Sequence, residues 1–228
     1  IYTPTGGSIG LGFAIPIDRA RRVAEDLLAH GAVRRPWIGV KVQQSGATAA
    51  RGSLNTGAAI ETIVPGSPAE EANLRVGDVI VRSRDRQIRN PYDWEAELLE
   101  LRVGETVDLM VRRGSREQRV VVRVRDLPEV GAERVAVLRE LELISLTPAI
   151  RAERGLRSER GALVASVTDR VAQDLGIRSG DLIIQINSTP VENAQDAART
   201  LEYYIGRGLI RMFFERNGAI YNTDFRIR

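Results

Sequence analysis

The sequence contains no cysteine, which excludes disulfides, Cys-ligated zinc and a thiol nucleophile. His30 is the only histidine, so a His pair for a metal site is excluded too. Lys41 is the only lysine, and arginine carries the rest of the positive charge. Aromatic residues make up 5% of the chain, and acidic residues are interspersed among the basic ones. A nucleic-acid groove needs a sustained basic stripe with stacking aromatics, so nucleic acid is not an expected partner despite a net charge of +3. The densest basic cluster, the arginines at 19, 21, 22, 34 and 35, reads as a solvated surface. No apolar run reaches the length of a membrane span. Neither a metal nor a cofactor is expected. The chain opens at Ile1, with no Met and no signal pattern, which reads as a processed product or a piece of a longer protein.

What is present is an internal repeat. Residues 57–64 (Gly-Ala-Ala-Ile-Glu-Thr-Ile-Val) resemble residues 161–168 (Gly-Ala-Leu-Val-Ala-Ser-Val-Thr). Residues 74–80 (Leu-Arg-Val-Gly-Asp-Val-Ile) resemble 177–183 (Ile-Arg-Ser-Gly-Asp-Leu-Ile), and Gln87-Ile88 matches Pro190-Val191. The offset stays at 103 or 104, so two copies of one domain account for most of the 228 residues.

Each copy carries local structural signals. Residues 59–64 are apolar and β-branched between Gly57 and Pro65-Gly66, which predicts a strand. Ser67-Pro68 predicts a capped short helix, and Asn90-Pro91 a second one with Trp94, Leu98 and Leu101 on one face. Residues 107–111 and 119–124, joined through Arg113-Gly114, predict a closing hairpin. The second copy repeats this with a helix over 193–205 and strands over 209–214 and 221–227, joined by Asn217-Gly218. Ahead of both copies, residues 11–15 predict a buried strand. A helix capped by Asp18 follows, with Ala20, Val23, Ala24, Leu27 and Leu28 on its apolar side, ending at His30-Gly31. One strand and one helix cannot form a core, so this piece is expected to pack on something else.

Residues 6–17 (Gly-Gly-Ser-Ile-Gly-Leu-Gly-Phe-Ala-Ile-Pro-Ile) resemble the last strand of the trypsin-like domain of HtrA/Deg serine proteases. Residues 35–40 (Arg-Pro-Trp-Ile-Gly-Val) resemble the carboxylate-binding loop and groove strand of that family's first PDZ domain. Gly77-Asp78 and Gly180-Asp181, each before an apolar strand, are similar to the PDZ Gly-Asp pattern. The resemblance spans essentially the whole chain. It implies a mainly β, α+β fold: a remnant of the protease domain over 1–32, a PDZ domain over 33–126, a linker over 127–138 and a second PDZ domain over 139–228. Each PDZ domain would be a partly open β-barrel with two helices.

The resemblance also implies function. The catalytic Ser, His and Asp would precede Ile1, and residues 2–7 would be the end of a loop near the substrate pocket. This chain would hold no catalytic residue. His30 at a helix end and Ser8 in a turn are poor substitutes, and no Ser–His arrangement can be built with one histidine at that place. The partners implied are unfolded or C-terminal peptides, the chain's own protease domain and further copies in a homo-oligomer. Contact with a membrane would come only through a preceding segment, and the location would be the periplasm or cell envelope. PDZ recognition adds a peptide strand to a sheet edge. On that basis Trp37, Ile38, Gly39 and Val40 are expected to hold the carboxylate and pair with the strand, with Arg35 adding attraction. Val42, Trp94, Leu98 and Leu99 are expected to wall the side-chain pocket, although these apolar residues also suit a plain core, and Trp37 suits interdomain packing. The weaker groove of the second copy would involve Leu141, Leu143, Ala198 and Leu201. There Glu142 is expected to stand where the first copy has Gly39, which would disfavour carboxylate binding. A free-standing PDZ scaffold is the alternative reading, and residues 6–16 argue against it.

Overall fold

The computed structural model describes residues 14–31, 33–44 and 57–227. The expected strand over 11–15 falls mostly outside these residues, as do the expectations for residues 2–8; Ala14 and Ile15 lie in no strand. The chain divides into one compact unit ending at Arg35 and another running from Pro36.

In the first unit, helix α1 spans Ile17–His30. Pro16, not Asp18, occupies the N-cap position, and Asp18 lies in the first turn. A carboxylate there still suits the positive end of the helix. Gly31, at φ 70°, closes the other end by donating its N–H to the Leu27 carbonyl. No residue of α1 is buried, and Ile17, Leu27 and Leu28 are exposed.

The second unit holds both repeats. The first contains strands β1 (Pro36–Trp37), β2 (Val40–Gln44), β3 (Ala58–Ile63), β4 (Val79–Ser83), β5 (Arg86–Gln87), β6 (Thr106–Arg113), β7 (Arg116–Arg123) and β8 (Arg125–Asp126). Its helices are α2 (Pro68–Glu71) and α3 (Pro91–Leu98). The main sheet is antiparallel in the order β2-β3-β4-β6-β7, with β5 beside β4, and β1 pairs separately with β8. The second repeat contains β9 (Arg134–Val137), β10 (Leu141–Ser145), β11 (Ala162–Val167), β12 (Leu182–Ile186), β13 (Thr189–Pro190), β14 (Ile210–Arg216) and β15 (Ala219–Phe225). Helices α4 (Pro148–Arg154), α5 (Asp169–Leu175) and α6 (Ala194–Tyr203) complete it. The short helix α4 begins where Leu146-Thr147-Pro148 predicts one, with Thr147 as its N-cap. Its sheet order is β15-β14-β12-β11-β10-β9, with β13 beside β12.

The repeat holds at the level of strand register. Val79 pairs with Arg112 and Ile80 with Val111, as Leu182 pairs with Glu215 and Ile183 with Phe214. Each copy buries its own core. In the first, Ile38, Ile60, Ile80, Trp94, Leu101 and Leu109 cluster; in the second, Leu143, Val164, Ile177, Ile183, Leu201 and Phe214 do. The caps form where side-chain chemistry placed them. Asn90 Oδ1 accepts from the Asp93 amide at 2.9 Å, and Asn193 Oδ1 accepts from the Asp196 amide at 2.9 Å. Asn193→Ala should therefore lower stability by about 1 kcal/mol. Urea unfolding at neutral pH reads this as a lower midpoint at unchanged slope, and an unchanged midpoint would deny the cap its role.

The stretch over 127–138 corrects the expectation of a plain linker. Its residues 134–137 are β9, the outermost strand of the second sheet. The alternation of half-buried Val135 and buried Val137 with exposed Arg134 and Ala136 gives this segment one apolar face, which the second core takes up.

Candidate functional site

Gly39 sits between β1 and β2 at φ +84°, a backbone conformation that side-chain-bearing residues rarely adopt. The space is also closed: a Cβ here would lie 2.2 Å from Cβ of the fully buried Ser67, the N-cap of α2. Both neighbouring carbonyls point away from the strand edge. The Ile38 carbonyl accepts from the Ala69 amide and the Gly39 carbonyl from the Val64 amide, each at 2.9 Å. Among the described residues nothing accepts from the amides of Ile38 and Gly39. Consecutive N–H groups beside a left-handed residue form a small anion-attracting concavity.

The strand that follows is the other half of the site. In its sheet β2 is a terminal strand, paired on one side with β3 from Val40↔Ile63 onward. Val40 and Val42 are half-buried against the first core. Lys41, on the alternate face, donates from Nζ to the Ala152 carbonyl of α4 at 2.9 Å. Trp37 Nε1 donates to Glu153 Oε2 of the same helix at 2.8 Å. The second repeat is thus bonded to both sides of Gly39. Arg35 is exposed.

The expected pocket residues take different places. Trp94 is 1% exposed and lies inside the core, and Leu98 is half-buried at its margin. Leu99, the C-cap residue of α3, is 51% exposed and turned to solvent. In the second repeat Leu141, Leu143, Ala198 and Leu201 are all buried in one cluster with Val137. A cleft of about 680 Å³ lies beside them, lined by Val137, Leu141, Val171, Leu175, Leu201 and Phe225.

The position equivalent to Gly39 is Glu140, not Glu142. The Glu140 carbonyl accepts from the Thr168 amide as the Gly39 carbonyl accepts from the Val64 amide. Glu142 pairs with Ser166 as Lys41 pairs with Thr62. The Glu142 carboxylate accepts from Ser166 Oγ at 2.8 Å and from Arg134 Nη1 at 2.6 Å, and these bonds hold its pKa below the usual carboxylate range.

The Gly-Asp pairs anchor each barrel. Asp78, 1% exposed, accepts from the Arg75 amide at 2.9 Å and from Arg113 Nε and Nη2, each at 2.7 Å. Burial pushes its pKa up, but the Arg113 and Arg75 bonds outweigh burial and leave it below the ordinary value. Asp181 repeats the arrangement, accepting from the Arg178 amide and from Arg216 Nε and Nη2. Sequence reasoning missed Arg113 and Arg216. They stand at the same offset as Asp78 and Asp181, each just before a hairpin turn, and that shared spacing is the signal that could have found them. Among the described residues no group of His, Asp and Glu could hold a metal ion, and no helix is long and apolar enough to cross a membrane.

Comparison with known proteins agrees with this architecture. The family model described as PDZ domain matches residues 36–124, so the first repeat is a PDZ domain. Over 219 residues the chain is 28% identical to a "Probable periplasmic serine endoprotease DegP-like" of Rhizobium meliloti (strain 1021), covering 88% of this chain and 42% of that protein. A protein of the same name from Ectopseudomonas mendocina (strain ymp) is 28% identical over all of this chain and 50% of its own length. The chain thus spans half or less of these relatives. Among solved structures, "HtrA-type protease AlgW with decapeptide" aligns with TM-score 0.43 and 27% identity over 56% of this chain and 40% of that one. The chain thus contains a PDZ domain and is similar over most of its length to proteins named DegP-like. The periplasmic location that the resemblance implied agrees with the names of its relatives.

Proposed function

We propose that the first PDZ domain captures the free C-terminal end of an extended polypeptide, which adds to β2 as a further strand with its carboxylate at the amides of Ile38 and Gly39. The observation that carries this reading is the sheet order. Among the described residues it leaves β2 without a strand on its outer edge, and the loop ahead of it offers two N–H groups without partners there. Backbone pairing supplies affinity largely independent of sequence, which suits ends of unfolded proteins. Val40, Val42 and Leu98, half-buried at the edge of the core, supply the apolar contacts for the last side chain.

In a longer protein like the relatives, the captured end would regulate a serine endopeptidase in periplasmic quality control. The protease domain and its catalytic residues would lie before Ile1, and assembly into an oligomer would follow the family. The bonds from Trp37 and Lys41 to α4 offer a physical route for such regulation. A peptide can shift the arrangement of the two PDZ domains only if it binds one arrangement better, and these bonds join the binding loop to the second domain.

Fluorescence anisotropy with a peptide ending in an aliphatic residue tests the carboxylate. Charge-assisted bonds are worth about 1.5–3 kcal/mol, so amidating the peptide's C-terminus should weaken binding at least about tenfold. Equal binding of the acid and the amide would overturn the assignment of the loop.

A further inference from the structure

In the second domain the strand equivalent to β2 is not open. The outer edge of β10 is taken by β9, with Val137 opposite Leu141 and Val135 opposite Leu143. β9 also lies against α6, so it fills the strip between β10 and the helix. That strip is the counterpart of the one between β2 and α3. We infer that residues 134–137 act as a tethered ligand, occupying in cis the peptide groove of the second domain.

Direction, side-chain pattern and chemistry all support this. β9 runs antiparallel to β10, with Val137 nearest the three-residue turn 138–140, whose last residue, Glu140, stands in the place of Gly39. A peptide added to β10 with its C-terminal end toward the loop runs the same way. Val137 is 1% exposed and clusters with Leu141, Ala198 and Leu201, while Val135 packs at the edge of the same cluster. Arg134 and Ala136 face outward. The groove is therefore filled by a Val-x-Val pattern. Glu140, which pairs with Arg170, puts a side-chain carboxylate where the first domain has a bare glycine. A terminal carboxylate is disfavoured there, and a strand whose chain continues past the loop is accommodated. The ligand class is thus an internal extended segment with alternating aliphatic residues, and in this protein that segment is its own.

The turn is not what holds β9 in place. Leu138 and Arg139 both adopt positive φ, 54° and 59°, which residues with a Cβ resist. Burial of the valines and strand pairing hold it. A segment tethered by a short turn competes at an effective concentration of about millimolar, so a free peptide of the same sequence is excluded about a hundredfold or more.

The test uses the whole chain and an amidated peptide, Glu-Arg-Val-Ala-Val, with a photoreactive group at its N-terminus. Cross-links are mapped by mass spectrometry. Those to residues 141–145 and 194–203 report the second domain, and those to 40–44 report the first separately, so failure of one reading is distinct from failure of the other. Val135→Pro removes the backbone donor of a residue paired with Leu143 and bends β9 away from its edge. It should raise second-domain capture at least about tenfold over the wild type. Ala136 and Glu142 face each other across the hairpin. In a chain without cysteine, Ala136→Cys with Glu142→Cys forms a lock whose oxidation should abolish that capture. If circular dichroism shows Val135→Pro unfolded, Val135→Ser replaces it and is read in the same way. Equal capture by the wild type, the oxidised lock and the opened variant overturns the proposal. So does a folded, opened variant that takes no peptide at the second domain.

Discussion

Replacing Gly39 by alanine is expected to cost the first PDZ domain about 2–5 kcal/mol. An L-residue in the left-handed region costs roughly 1–2 kcal/mol. Forcing a methyl into a filled site adds about 1–3 kcal/mol. Both apply here, because φ is +84° and the new Cβ would meet Ser67 Cβ at 2.2 Å. Ser67 cannot easily yield: it is fully buried and its Oγ caps α2 by accepting from the Glu70 amide. The substitution should lower the urea midpoint of the transition belonging to the first domain and leave the second unmoved. A midpoint shift below what about 1 kcal/mol would produce contradicts the described loop geometry. Peptide capture should fall too, but that loss alone would not separate a blocked site from a distorted one. The amidated peptide makes that separation, because it changes the ligand and leaves the loop intact.

Asp78→Ala is expected to cost about 1.5–3 kcal/mol at pH 7, the range for a hydrogen bond to a charged group. It strands the Arg75 amide and the Arg113 guanidinium together. The loss stays below that of a fully buried ion pair, because the Arg113 side chain keeps 31% exposure and can turn to water. The pH dependence gives a second reading. Asp78 is held below its ordinary value in the folded protein, so its contribution is complete above the unfolded value, near about 3.9. The contribution disappears as pH falls through the folded value. The stability gap between wild type and Asp78→Ala should therefore be constant from pH 7 to about 5 and narrow below about 4. A gap that widens in acid would show the carboxyl to be destabilised in the fold, which the Arg113 bonds contradict.

The mistaken placement of Glu142 has a simple cause. The two repeats are 103 or 104 residues apart from β3 onward, and the same spacing applied to the binding loop points to Glu142. In the structure the offset between β2 and β10 is 101, because the segment after β10 is three residues longer than its counterpart after β2. A spacing measured on one side of a loop of different length does not hold on the other side. The pocket residues show a different limit. Trp94, Leu98 and Leu99 share a helix and are all apolar, and the sequence offered no means to sort interior from margin from solvent. The helix ends at Leu98, and the turn of chain that follows carries Leu99 outward.

Local chemistry was legible throughout the repeats. The twofold repeat, the Ser67, Asn90 and Asn193 caps and the hairpin turns at Gly114 and Gly218 follow from neighbours a few residues apart and from the period-2 alternation of strands. Sequence alone determined those features, because the energies behind them are set within one turn or one strand. Which of the two edges carries a strand among the described residues was decided only by the tertiary structure. β2 and β10 are both short strands that open on an apolar–charged–apolar alternation, Val-Lys-Val and Leu-Glu-Leu, and that alternation does not separate them. The difference lies in the chain before them: residues 36–37 leave to pair with 125–126, whereas residues 134–137 fold back onto β10. The Asp78–Arg113 and Asp181–Arg216 anchors were likewise decided in three dimensions, since each joins residues 35 apart that meet only once the strands between them have paired.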